Sequence, residues 1–128
     1  MSISHGTVTA SLDKQIIRVT LKGMFNELGA KEYTNTVKKY VLQLESKPFA
    51  ILINNLEMKG GTPEAYQELE SYNRWLNTQN LIAKAMVIES NLHQQMIDHY
   101  SPSRKSQNTR SFLTEEEALN WLQQELCK

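Results

Sequence analysis

The 128-residue chain carries 14 basic and 14 acidic side chains, so its formal net charge is zero and no global field draws it to nucleic acid. That length suits one domain, residues 1–128, able to bury about two thirds of its unfolded surface and to fold without disulfides or a structural metal. Residues 1–8 lack a basic start leading into an apolar core, no apolar run approaches the ~20 residues of a membrane span, and the single cysteine, Cys127, has no disulfide partner; together these features point to a cytoplasmic protein.

In chain order, residues 7–12 place Val8, Ala10 and Leu12 on one side, and Ile17, Val19 and Leu21 then alternate with Arg18, Thr20 and Lys22. Both stretches read as half-exposed strands, joined through Asp13, Lys14 and Gln15 into an antiparallel hairpin at a sheet edge. Over 27–46 the apolar positions Tyr33, Val37, Tyr40, Val41 and Leu44 follow helical spacing, and Pro48 ends the helix. Residues 49–53, Phe-Ala-Ile-Leu-Ile, have no polar interruption and predict a central strand buried on both faces. A loop is expected over 54–61. Thr62, Pro63 and Glu64 then combine a capping hydroxyl, a proline at the first helical position and an early acid, which starts a second helix running to about Gln79.

That second helix carries Ala65, Tyr66, Leu69, Tyr72, Trp75 and Leu76, an unusually aromatic stripe. A strand over 82–88 follows, and then a short amphipathic helix over 92–100 with Leu92, Met96, Ile97 and Tyr100 on one face. Residues 101–110 form a basic loop, 111–113 a last strand, and Thr114 with Glu117 a capping box that opens a helix over 115–126, whose inward stripe is Ala118, Leu119, Leu122 and Leu126. No internal repeat and no low-complexity segment interrupts this order.

Strand and helix alternation of this kind builds an α/β sheet with packed helices. The element order, joined to Gly23-Met24-Phe25, to Ile51-Leu52-Ile53 leading to Gly60-Gly61-Thr62-Pro63, to the run from Ile82 to Ile88 and to the closing stretch from Phe112 to Leu122, resembles the SpoIIAA-like (STAS-type) family over residues 7–126. The resemblance implies a mixed sheet of about five strands with four helices largely on one face. Anti-sigma-factor antagonists in this broad family carry a phosphorylatable serine, in an Asp-Ser-Ser-Gly-like stretch, where the helix after the central strand begins. Here that place holds Lys59-Gly60-Gly61-Thr62-Pro63, so Thr62 is the matching hydroxyl, without the preceding acid or the following glycine. The chain looks more like a less characterised branch, also likened to CRAL-TRIO lipid-transfer domains, for which an apolar ligand and membrane contact are implied.

Gly60, Gly61 and Thr62 at a helix start are candidates to hold a phosphate or carboxylate, although Glu64 opposes an anion there and a well-capped helix accounts for the same residues. His5, His93 and His99 lack the spacing of a zinc motif, and no GxSxG elbow or P-loop pattern is present. Glu27, Glu57 and His93 are acid–base candidates that nothing in the sequence positions, so no catalytic residue, cofactor or metal is assigned. The reading is a non-enzymatic binding domain. Its expected ligand is a small hydrophobic or amphipathic molecule held by Met58, Tyr66, Leu69, Tyr72, Trp75, Leu92 and Met96. Arg104, Lys105 and Arg110 are candidates to touch the inner membrane surface as a peripheral contact. The alternative is an antagonist-like protein-interaction regulator switched at Thr62, and pairing of the edge strand over 7–12 across a homodimer is a further expectation.

Overall fold

The computed structural model describes residues 3–89 and 102–128. β1 (Thr7–Asp13) turns through Lys14 and Gln15 into β2 (Ile16–Phe25), and the two pair antiparallel from Thr7 with Lys22 to Asp13 with Ile16. α1 (Glu27–Gln43), β3 (Phe49–Gly61), α2 (Pro63–Leu76), β4 (Leu81–Val87), a 3₁₀ turn (Pro102–Ser106), β5 (Thr109–Phe112) and α3 (Glu115–Leu126) follow. The sheet order is β1-β2-β3-β4-β5, and every pairing after the hairpin is parallel. The outcome is the expected mixed five-stranded α/β sheet.

β3 lies at the centre because its alternate side chains serve two cores. Phe49, Ile51 and Ile53 face α1 and α2, whereas Ala50 and Leu52 face α3. Among the described residues, helices therefore cover both faces of the sheet, two on one side and one on the other. Three α-helices occur among the described residues where four are expected, and the helix expected over 92–100 lies outside the described residues.

The expected loop over 54–61 is instead the second half of β3. Its Asn, Glu, Lys and Gly residues read as a turn, yet Glu57, Met58, Gly60 and Gly61 pair with Lys22, Gly23, Met24 and Phe25 across irregularities in the ladder. A Lys22–Glu57 ion pair of 3.3 Å crosses the two strands. Gly60 has φ +134°, a backbone region closed to side chains bearing a Cβ, so glycine is what lets the strand pass this point.

Each of the three described α-helices is capped by a side chain. The Asn26 Oδ1 accepts from Gly29 N at 2.9 Å, Thr62 Oγ1 from Ala65 N at 3.1 Å and Thr114 Oγ1 from Glu117 N at 3.3 Å. Thr114 also donates to Glu117 Oε1 at 3.0 Å, completing the expected capping box. α1 stops at Gln43 and α2 at Leu76, each about a turn earlier than helical spacing alone indicates. No helix among the described residues is long and apolar enough to cross a membrane.

Candidate functional site

Two places concentrate chemistry, and α2 belongs to both. At its start, β3 delivers Gly61 to pair with Phe25, and the Thr62 N–H donates to Phe25 O at 2.9 Å. Thr62 is thus anchored through its backbone while its half-exposed hydroxyl caps the helix. Because that N–H and the Ala65 N–H are already engaged, Gly60, Gly61 and Thr62 do not form the open cradle of donors that an anion at this helix start requires. The surroundings are amphipathic: Met24 is 55 % exposed, its sulfur lies against Gly60, and Lys59 is exposed one residue before.

The second place lies under the body of α2. The 3₁₀ turn docks on that helix through Glu70, which accepts from Ser103 N at 2.9 Å and from Ser103 Oγ at 2.5 Å. Burial alone raises the Glu70 pKa, but the Ser103 and Arg74 hydrogen bonds outweigh it and hold the carboxyl below its ordinary value. Asn77 Nδ2 donates to Ser103 O at 2.9 Å and fixes the other side of the turn. Arg104 is thereby carried inward and is only 5 % exposed.

From below, β4 projects Lys84 towards the same space. It occupies a position on the α1/α2 face where a parallel strand ordinarily carries an aliphatic side chain, and its Nζ donates to Asn73 Oδ1 at 2.9 Å. Burial, and secondly the Arg104 charge, push the Lys84 amine well below its ordinary pKa. Asn73 anchors this cluster: its Nδ2 donates to Leu69 O at 3.0 Å, and Gln107 Nε2 donates to its Oδ1 at 3.2 Å. Tyr33 and Tyr72, with ring centroids 5.4 Å apart, close the α1 side. Burial pushes the Tyr33 hydroxyl up to about 12 and Tyr72 well above its ordinary value.

Between these groups is a cavity of about 30 Å³ lined by Met58, Leu69, Tyr72, Asn55, Asn73, Lys84 and Arg104 among others. A neighbouring space of about 10 Å³ is lined by Tyr66 with Met58 and Leu69. Met58, Tyr66, Leu69 and Tyr72 are therefore brought together as the sequence suggests, but Met58, Tyr66 and Tyr72 are already enclosed and the remaining hollow suits about two water molecules, not an acyl chain. Trp75 does not line it; its ring stacks beside Tyr72 at 6.5 Å and lies beneath the Lys38 ammonium at 5.4 Å. Leu92 and Met96 lie outside the described residues.

The expected membrane contact also changes. Arg104 is buried because Ser103 ties its turn to α2, so it cannot serve as an exposed contact; Lys105 is exposed, and Arg110 lies on β5 with its guanidinium 5.8 Å from the Phe112 ring. The acid–base candidates are not assembled: Glu27 pairs with Lys31 at 3.2 Å and Glu57 with Lys22, both at the surface, and His93 lies outside the described residues. No group of three or more potential metal ligands occurs among the described residues. Sequence reading missed Lys84, Asn55 and Asn73 and gave Arg104 a surface role; a lysine inside the otherwise apolar 81–88 run was the available signal for the first of them.

A family model described as "Domain of unknown function (DUF7793)" matches residues 10–126. No curated protein matches the chain. Among solved structures, an uncharacterized protein of the DUF3478 family with a SpoIIAA-like fold from Shewanella loihica is similar at 12 % identity and TM-score 0.69, with 95 % of this chain and 97 % of that chain covered. An anti-sigma factor antagonist from Mycobacterium paratuberculosis is similar at 14 % identity and TM-score 0.65, over 93 % and 95 % of the two chains. The anti-sigma factor antagonist SpoIIAA in its unphosphorylated form is similar at 12 % identity and TM-score 0.66, over 92 % and 97 %. The fold is SpoIIAA-like.

Proposed function

Starting from a chain that belongs to the DUF7793 family and has a SpoIIAA-like fold, we propose that it is a non-enzymatic protein-interaction regulator of the antagonist type, with the start of α2 as its docking and switching surface. Likeness at 12–14 % identity concerns fold, and one fold hosts many functions, so the reading rests on the site. Its main support is Thr62. This hydroxyl sits at the N-cap of α2, anchored to β2 by its own N–H, half-exposed and beside the protruding Met24.

A phosphate on Thr62 adds about −1.5 to −2 charges at the positive end of the α2 dipole, which favours it, and places them near Glu64, which does not. Modification there changes the local charge while leaving the buried core untouched. Mapping phosphorylation on the protein purified from its host tests the first step. Quantitative capture with the unmodified chain, Thr62→Ala and Thr62→Glu as baits tests the second: proteins held by the first two and released by the glutamate variant are the expected result. Identical sets of partners for all three would remove the switch.

The carrier alternative draws less support. Its pocket residues are largely packed against one another, and the hollow they leave is far smaller than the ≈300–1,000 Å³ of ordinary small-molecule sites.

A further inference from the structure

Among the described residues β1 ends the sheet on one side, with no strand on its outer edge, and the hydrogen bonding fixes which of its residues face outward. Successive residues of a strand turn their N–H and C=O groups to opposite sides. The Gln15 carbonyl accepts from Ala50 N at 2.9 Å, so Gln15, Ile17 and Val19 serve β3. Ile16, Arg18 and Thr20 therefore serve β1, where they face Asp13, Ser11 and Thr9. Val8, Ala10 and Leu12 are left directing their backbone groups away from the sheet. From α1 the Tyr40 hydroxyl reaches this edge and donates to Ala10 O at 3.3 Å, which leaves that oxygen a second lone pair.

The two edges of the sheet differ in their protection. β5 is four residues long and carries Arg110, a short charged edge of the kind that discourages strand addition. β1 runs for seven residues in unbroken register with β2, has no proline, lysine or arginine, and bears its one charge, Asp13, at its end. Its order, Thr-Val-Thr-Ala-Ser-Leu-Asp, is also nearly symmetric in character about Ala10. We propose that β1 is a self-pairing edge: a second copy of this chain adds antiparallel to it about a two-fold axis at Ala10, making one continuous sheet through both. In that register Ala10 faces Ala10, Val8 faces Leu12, Thr9 faces Ser11 and Thr7 faces Asp13, so aliphatic meets aliphatic on the α1 side and polar meets polar on the other. Val8, Ala10 and Leu12 of each copy then each donate one hydrogen bond and accept one across the axis. The charges agree with this register: each Asp13 lies opposite Thr7 of the other copy, with Lys22 next in the same row, and the two Asp13 side chains sit at opposite ends of the pairing. The pairing is independent of Thr62 and survives if the switch there is disproved.

Sedimentation velocity of the full chain from about 1 to about 200 µM tests association; twice the single-chain mass at the high end, lost on dilution as for a small interface, is the expected result. Ala10→Pro removes an outward N–H and leaves the β1–β2 ladder its bonds, so this variant, shown folded by circular dichroism, should associate at least about tenfold more weakly. Register is read by cross-linking in a Cys127→Ser background, since Cys127 is exposed. Thr9 of one copy and Ser11 of the other form a non-hydrogen-bonded pair about 4.5 Å apart at Cα, within reach of a disulfide. Oxidising a mixture of Thr9→Cys and Ser11→Cys proteins should therefore link one to the other, while each alone links far less. A single-chain mass at every concentration, unchanged association of a folded Ala10→Pro protein, or cross-linking no better in the mixture than in either variant alone would each overturn the proposal. Should Ala10→Pro fail to fold, the mixed cross-link decides.

Discussion

The two faces of the sheet are built from alternate residues of the same strand, yet they pack in opposite ways. Under α3, Ala50, Leu52, Ala83, Ala85 and Val87 meet Ala118 and Leu122, an interface of small and aliphatic side chains in which each of these is fully or almost fully buried. The polar groups of α3 stay at its rim, where Glu115 accepts from Arg18 at 3.1 Å and from Asn54 at 3.1 Å. Under α1 and α2, larger aromatic side chains meet the sheet, and they fill it less well: a cavity remains, and Lys84, Arg104, Asn55 and Asn73 stand around it. Small residues let a helix approach a sheet until nothing remains between them; bulky rings hold it away and leave room for chemistry. The dry face is closed by apolar contacts, and the other keeps polar groups beside a small cavity.

The sharpest break between the faces is expected from truncating a leucine on each. Leu122→Ala should cost about 2–5 kcal/mol, because Leu122 is fully buried against a tightly closed face, whereas Leu69→Ala beside the existing cavity should cost about 1 kcal/mol. Urea unfolding of both variants measures this, and equal losses would mean that the faces are packed alike.

A second, somewhat smaller effect separates them by pH. Lys84 is held well below its ordinary pKa, first by burial and then by Arg104. Above the folded value of that pKa and up to about 10, the unfolded chain therefore binds a proton that the folded protein has released, and stability rises with pH. The described titratable groups facing Lys84 across the cavity are Tyr33 from α1, Tyr72 from α2 and Arg104 from the turn. Beyond about pH 10 the trend reverses, because Tyr33, pushed up to about 12, keeps a proton that the unfolded chain loses. Replacing Lys84 with Met should abolish the rise and stabilise the protein near neutrality by about 1–3 kcal/mol. A stability profile between about pH 7 and 9.5 for both proteins checks it; parallel profiles would refute it.

The smallest effect sharpens the picture of the dry face. Thr114→Ala removes the acceptor for Glu117 N and should cost about 1 kcal/mol, with faster amide exchange confined to the first turn of α3. Exchange spreading to α2 would show that the two faces are coupled through β3.

Much of this architecture can be read from neighbouring residues. The hairpin shows in the alternation around Lys14, α3 in a cap followed by a stripe, and the central strand in Phe49 to Ile53, because each signal repeats within a few positions. The second half of β3 is hidden by its polar composition: Asn55 and Met58 point inward, but only pairing with β2 reveals it. Asn26 was equally silent as a cap, although its side chain also accepts from His5 N at 2.9 Å and donates to Ile3 O at 2.7 Å.

The amino-acid order determined, by itself, the type of every described strand and α-helix apart from the second half of β3, the start of α2 at Thr62 and the aromatic surplus of that helix, since these depend on local spacing and capping. Which face each helix covers, how little space the rings leave, and the enclosure of Lys84 and Arg104 were decided by tertiary structure alone. The reason is distance along the chain: the partners that bury those cations, Asn73 for Lys84 and the Glu70–Ser103 clasp for Arg104, are separated by 11 and 33 positions, so no local pattern encodes their meeting.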